Sequence, residues 1–116
     1  MSENQFSEKD LPAKIGLCMA PDRKTAIKIA RTLVSSRLAA CVNFVEGATS
    51  IYRWKGEVHE DSEVLCLVKT QHKLVQAVIE KITELHPYEV PEIVFLSIEE
   101  GLADYLDWIF RQTTAP

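Results

Sequence analysis

Apolar residues alternate with small ones from Lys14 to Ala20: Ile15, Leu17 and Met19 face one way, Gly16, Cys18 and Ala20 the other. That period of two predicts a strand. Pro21-Asp22 ends it, and Asp22 is placed to cap a helix by accepting from its free N–H groups. From Arg23 to Arg37 the period lengthens, with Ala26, Ile29, Ala30, Leu33 and Val34 on one stripe and Lys24, Lys28 and Arg31 on the wet side. Leu38 to Val45 is a short apolar strand, interrupted by Glu46-Gly47-Ala48 and resumed from Thr49 to Trp54. A long strand broken at glycine predicts a bulge or bend.

Lys55-Gly56 is a tight-turn signal, so Val58 to Lys69 should return as the hairpin partner. Its acidic first half, Glu57 to Glu63, belongs in solvent, and its Val64-to-Val68 half has the unbroken apolar run of a strand covered on both faces. Thr70 is read as the cap of a second helix, Gln71 to Leu85, striped by Leu74, Val75, Val78, Ile79, Ile82 and Leu85. His86-Pro87 stops that helix, because a residue before proline is driven out of the helical region. Glu92 to Ile98 is a fourth strand and Leu102 to Arg111 a short last helix.

Strand, helix, strand, strand, helix, strand is the order of an α+β ferredoxin-like βαββαβ sandwich, with an antiparallel sheet in the order 4-1-3-2 plus a C-terminal helix. Two helices cover only one face of such a sheet. Phe44, Tyr52, Trp54 and Cys66 cannot all lie beneath them, so the pattern predicts an apolar face met by another copy of the chain.

Composition narrows the rest. The 116 residues suit one domain, residues 13–116, behind a polar tail, residues 1–12, expected to be disordered. A net charge of -4 offers no general field for nucleic acid or an anionic membrane. The longest uncharged stretch, Leu38 to Val45, falls far short of the roughly twenty residues of a membrane span. Nothing near Met1 resembles a signal peptide, so the expected compartment is the cytoplasm. The three cysteines, Cys18, Cys41 and Cys66, form neither a disulfide framework nor a CxxC motif.

Nucleophile elbows and glycine-rich phosphate loops are missing from the chain, which argues against an enzyme of those classes. The segment His86-Pro87-Tyr88-Glu89-Val90-Pro91-Glu92 is the richest in chemistry: two prolines stiffen a loop that carries an imidazole. His86 there either caps the carbonyls of the preceding helix or ligates a metal ion.

Several motifs stand together in one order: Cys18 to Asp22, Leu38 to Asn43, Ser50 to Gly56, Glu63, Lys69-Thr70, His86-Pro87-Tyr88 and Pro91-Glu92, then Tyr105 to Ile109. In that order and spacing the chain resembles the CutA family of divalent-cation tolerance proteins, from about Ala13 to Arg111. The resemblance implies a stable cytoplasmic homotrimer, linked to tolerance of copper and other divalent cations; the leading reading is non-catalytic, and an enzyme with its site in the cleft between subunits is a further alternative. It also implies weak copper binding through Cys18 and His86; Leu85 stands where the family offers another histidine, and Lys81 where it offers a cysteine. Cys41, or a neighbouring subunit, is the candidate for a third ligand. Tyr52, Glu63, Lys69 and Tyr88 are candidates for a cleft between subunits. A second reading likens the chain to the trimeric P-II signalling proteins, which share the sandwich and would bind an effector in such a cleft. The tight Lys55-Gly56 turn departs from the long exposed loop of those proteins.

Overall fold

The computed structural model describes residues 11–114, so most of the expected tail, residues 1–10, lies outside the described residues. The chain runs β1 (Ala13–Ala20), α1 (Arg23–Ser35), β2 (Cys41–Trp54), β3 (Glu57–Gln71), a 3-10 turn (His72–Leu74), α2 (Val75–Leu85), β4 (Ile93–Ser97) and α3 (Ala103–Gln112). The sheet order is β2-β3-β1-β4, which is the predicted order read from the other edge, and every pairing is antiparallel.

Asp22 caps α1 as its position suggests, accepting from the Thr25 N–H at 2.8 Å. The helix ends at Ser35, short of the predicted Arg37, because Arg37 adopts a left-handed φ of 61°. Both the Leu38 and the Ala39 N–H then bond back to the Leu33 carbonyl, which closes the helix end. Leu38 to Ala40 are therefore a helix exit and not the start of β2. Thr70 also differs from its predicted role. It is buried in β3 opposite Lys14, and its hydroxyl donates to the Leu38 carbonyl at 2.7 Å. It ties the α1–β2 connection to the sheet, and α2 is entered through the 3-10 turn without a side-chain cap.

The register assigns each sheet face. Gly16, Cys18 and Ala20 of β1 point to the helices, with Val64, Cys66 and Val68 of β3 beside them, under Ile29 and Leu33 of α1 and Val78 and Ile82 of α2. Small residues are needed there because the neighbours press close: a Cβ on Gly16 would lie 2.6 Å from Cε2 of Phe95. Phe44 pairs with Cys66 and so shares the helix-covered side. The open face instead carries Ile15, Leu17 and Met19, Leu65 and Leu67, Val45, and Val94 and Leu96, the last two 49% and 56% exposed. A smaller cluster forms where Ile109 of α3 packs on Ala13 and Ala40. It is pinned by the Gln71 amide donating to Thr113 at 2.7 Å.

Glu46 and Gly47 together oppose Val64, so β2 bulges there, with Gly47 at φ 90°. Beyond the bulge the β2–β3 ribbon runs on to Lys55 and Gly56, which both have positive φ, as a two-residue primed hairpin turn requires. The ribbon lengthens the molecule to 52 Å on its longest axis. Its radius of gyration of 15.6 Å exceeds the roughly 13 Å of a compact chain this long.

Candidate functional site

β4 pairs with β1 from Ile93 opposite Cys18, which draws the loop before β4 to the C-terminal end of β1. His86 is the hinge of that approach. Its Nε2 lies 2.7 Å from the Met19 carbonyl, and its Nδ1 accepts from the Tyr88 N–H at 3.2 Å. A carbonyl only accepts, so the proton sits on Nε2 and both ring nitrogens are engaged. The ring also leans on Tyr88, with centroids 4.6 Å apart.

Cys18 lies one residue before Met19, fully buried, and faces Cys66 directly across the β1–β3 pairing. Burial, with Cys66, Glu92 and Glu63 adding to it, pushes the Cys18 thiol up to about 12. Burial alone lifts Cys66 to about 11. Both cysteines therefore stay protonated at neutral pH and behave as small core residues until something draws the proton away.

A cavity of about 510 Å³ opens beside this loop, at the end of the open sheet face. By register Met19, Glu63, Tyr52 and Trp54 all belong to that face, and the loop adds Tyr88, Glu89 and Glu92 to the lining. The Tyr88 hydroxyl donates to Glu63 Oε2 at 2.7 Å. Burial and that hydrogen bond raise the Tyr88 phenol well above the usual tyrosine range. Tyr52 donates to the Asp61 carboxylate, which raises its phenol too, and stacks on His59 with centroids 5.4 Å apart.

The structure thus brings Tyr52, Glu63 and Tyr88 to one cavity, but not Lys69. Lys69 lies six residues along β3 from Glu63, about 20 Å away at the rise of a strand, and donates to Asn43. Cys41 pairs with Lys69 on the open face, whereas Cys18 points to the helices from a strand two places away. Within one chain Cys41, the candidate third ligand, thus lies on the opposite sheet face from Cys18. Among the described residues no group of three or more His, Cys, Asp and Glu is arranged to hold a metal ion. Two residues of interest were harder to read. Cys66 faces Cys18 only through the strand register, which the spacing of the cysteines along the chain does not disclose. Trp54 was readable as apolar but not as part of a cavity wall.

Residues 14–112 match the family model described as CutA1 divalent ion tolerance protein. The chain belongs to that family. Protein CutA of Mus musculus is 50% identical over 93 residues, covering 80% of this chain and 52% of its own length. The human protein is covered to the same 52%, so the chain spans about half the length of these mammalian relatives. The solved divalent cation tolerance protein of Thermus thermophilus is 51% identical, covers 88% of this chain and 99% of its own, and superposes with a TM-score of 0.86. CutA of Xylella fastidiosa is 38% identical over 89% of this chain and 99% of its own, with a TM-score of 0.87. The ferredoxin-like α+β architecture is thus that of the CutA1 structures. No described helix is long and apolar enough to cross a membrane.

Proposed function

We propose that this CutA1-family chain acts in the cytoplasm as a non-catalytic homotrimer in divalent-cation tolerance, and that it holds copper weakly through Cys18 and His86. The observation that carries the metal reading is the 2.7 Å contact of His86 with the Met19 carbonyl, which places an imidazole beside the strand end that bears Cys18. Cu(I), the cytosolic form, favours thiolates and accepts imidazole. Cys66, facing Cys18 across the sheet, puts a second thiol at hand. Binding is weak for a physical reason: it requires a thiol held near 12 to lose its proton and His86 to give up a hydrogen bond. Leu85, packed against the core, contributes no donor.

The trimer reading is supported by the open sheet face. Leu17, Leu65, Leu67, Val94 and Leu96 form a continuous apolar surface by register, and such surfaces in soluble proteins normally meet a partner. Anaerobic Cu(I) titration against a competing chelator tests the metal site: affinity should fall in both Cys18→Ala and His86→Ala. Equal affinity in wild type and both variants would overturn the assignment. Sedimentation at micromolar concentration should give three times the chain mass.

A further inference from the structure

The cavity between the hairpin ribbon and the His86–Glu92 loop has a chemistry unrelated to copper. Its side-chain charges are all negative, from Glu63, Glu89 and Glu92, and its walls include the rings of Tyr52, Trp54 and Tyr88. Glu63 is the unusual member, only 8% exposed. A carboxylate that buried is ordinarily paired with a cation or several donors. Here the Tyr88 hydroxyl satisfies one oxygen, and among the described residues no lysine, arginine or histidine forms an ion pair with Glu63. Among the described residues no other side-chain hydrogen bond reaches the Glu63 carboxylate, and Glu63 lines the cavity. The carboxylates repel an anion, and both phenol hydroxyls already donate, Tyr88 to Glu63 and Tyr52 to Asp61.

The protein already places a cation at the mouth of this site. The Lys55 ammonium lies 5.7 Å from the Trp54 ring centroid and 3.7 Å from Glu89 Oε1, as an incoming alkylammonium would. We infer that the cavity is a binding site for a primary alkylammonium group, taken as a free amine, with the ammonium on Glu63 and its alkyl stem against Trp54, Tyr52 and Tyr88. Lys55 is then a built-in competitor at the rim. This inference stands independently of the copper reading, since none of the residues it uses is Cys18 or His86.

The test is a titration of the full chain with n-butylammonium chloride, followed by the indole signal of Trp54 in NMR, with 1-butanol as the neutral control of matching length. A roughly millimolar Kd is expected for the amine, and none in that range for the alcohol. Glu63→Gln should weaken binding roughly tenfold or more, as loss of a charge-assisted hydrogen bond does. Lys55→Gln should tighten it. Because Glu63 is buried and its variant could misfold, Trp54→Leu on the half-exposed ribbon is the second variant; read by saturation transfer on the amine, it should also weaken binding. Equal affinity for amine and alcohol, or amine affinity unchanged in both Glu63→Gln and Trp54→Leu, would overturn the inference. So would saturation of the wild-type protein by neither compound.

Discussion

The two faces of the sheet carry the same kind of side chain to opposite ends. Beneath α1 and α2 the residues of the two central strands, β1 and β3, are small or medium: Gly16, Cys18, Ala20, Val64 and Cys66, with no exposure left at Cys18, Ala20 and Cys66. On the other face they are larger, including Leu17, Met19, Leu65, Leu67 and Leu96, and several lie open to water. Helices bring their own bulk, Ile29, Leu33, Val78 and Ile82, so the strands beneath must give room. The uncovered face has no such donor of volume within the chain and supplies the bulk itself. On β1 and β3, side-chain size thus separates the face packed beneath the helices from the face left open.

Substitutions can break this contrast, beginning where packing is tightest. Ile82→Ala should cost about 2–5 kcal/mol in chemical denaturation, because a fully buried side chain leaves a cavity its neighbours cannot fill. Gly16→Ala should cost about 1–3 kcal/mol by overpacking against the Phe95 ring. Combining it with Phe95→Leu should recover part of that loss, a coupling that a double-mutant cycle measures. On the opposite face, Leu67→Glu should leave the circular dichroism spectrum of the chain intact and act on assembly. Sedimentation should then report single chains where the wild type gives a larger mass.

The smallest effect should come from Asp22→Ala, at the exposed cap of α1. The hydrogen bonds from Thr25 hold the Asp22 carboxyl below its ordinary value, so it binds its proton more weakly folded than unfolded. Its stabilising contribution is therefore present above the ordinary aspartate range and is lost as pH falls through the depressed folded value. Melting curves of wild type and variant should differ at neutral pH and converge in acid. A difference that persists in strong acid would show that the side chain acts through something other than its charge.

Most elements were legible because period and punctuation agreed. Asp22 after Pro21 marked the cap, Lys55-Gly56 the turn, and Glu46-Gly47 the bulge, each a local effect of backbone freedom or a short polar side chain. The misread boundaries were those settled at a distance. Leu38 and Ala39 are as apolar as any strand residue, but the left-handed Arg37 spends their N–H groups on the Leu33 carbonyl. Thr70 has the chemistry of a cap, yet the Leu38 carbonyl, thirty-two residues earlier, claims its hydroxyl.

The candidate site divides in the same way. Tyr52, Glu63, Tyr88, Cys18 and His86 were identifiable as residues with chemistry to offer, because polar or reactive side chains stood out in rigid or apolar surroundings. That Glu63 and Tyr88 share a hydrogen bond, that Cys66 faces Cys18, and that Lys69 lies far from the cavity follow from strand register.

The sequence by itself determined the order of strands and helices, the two-sided apolar character of the sheet and the turn that returns β3 along β2, since these depend on neighbours a few residues apart. Only the tertiary structure decided which apolar residues lie beneath the helices, which carboxylate is buried beside aromatic rings, and which thiols meet. Those are consequences of pairing between distant segments. A one-residue change of register would send every side chain of a strand to the other face while leaving its sequence pattern unchanged.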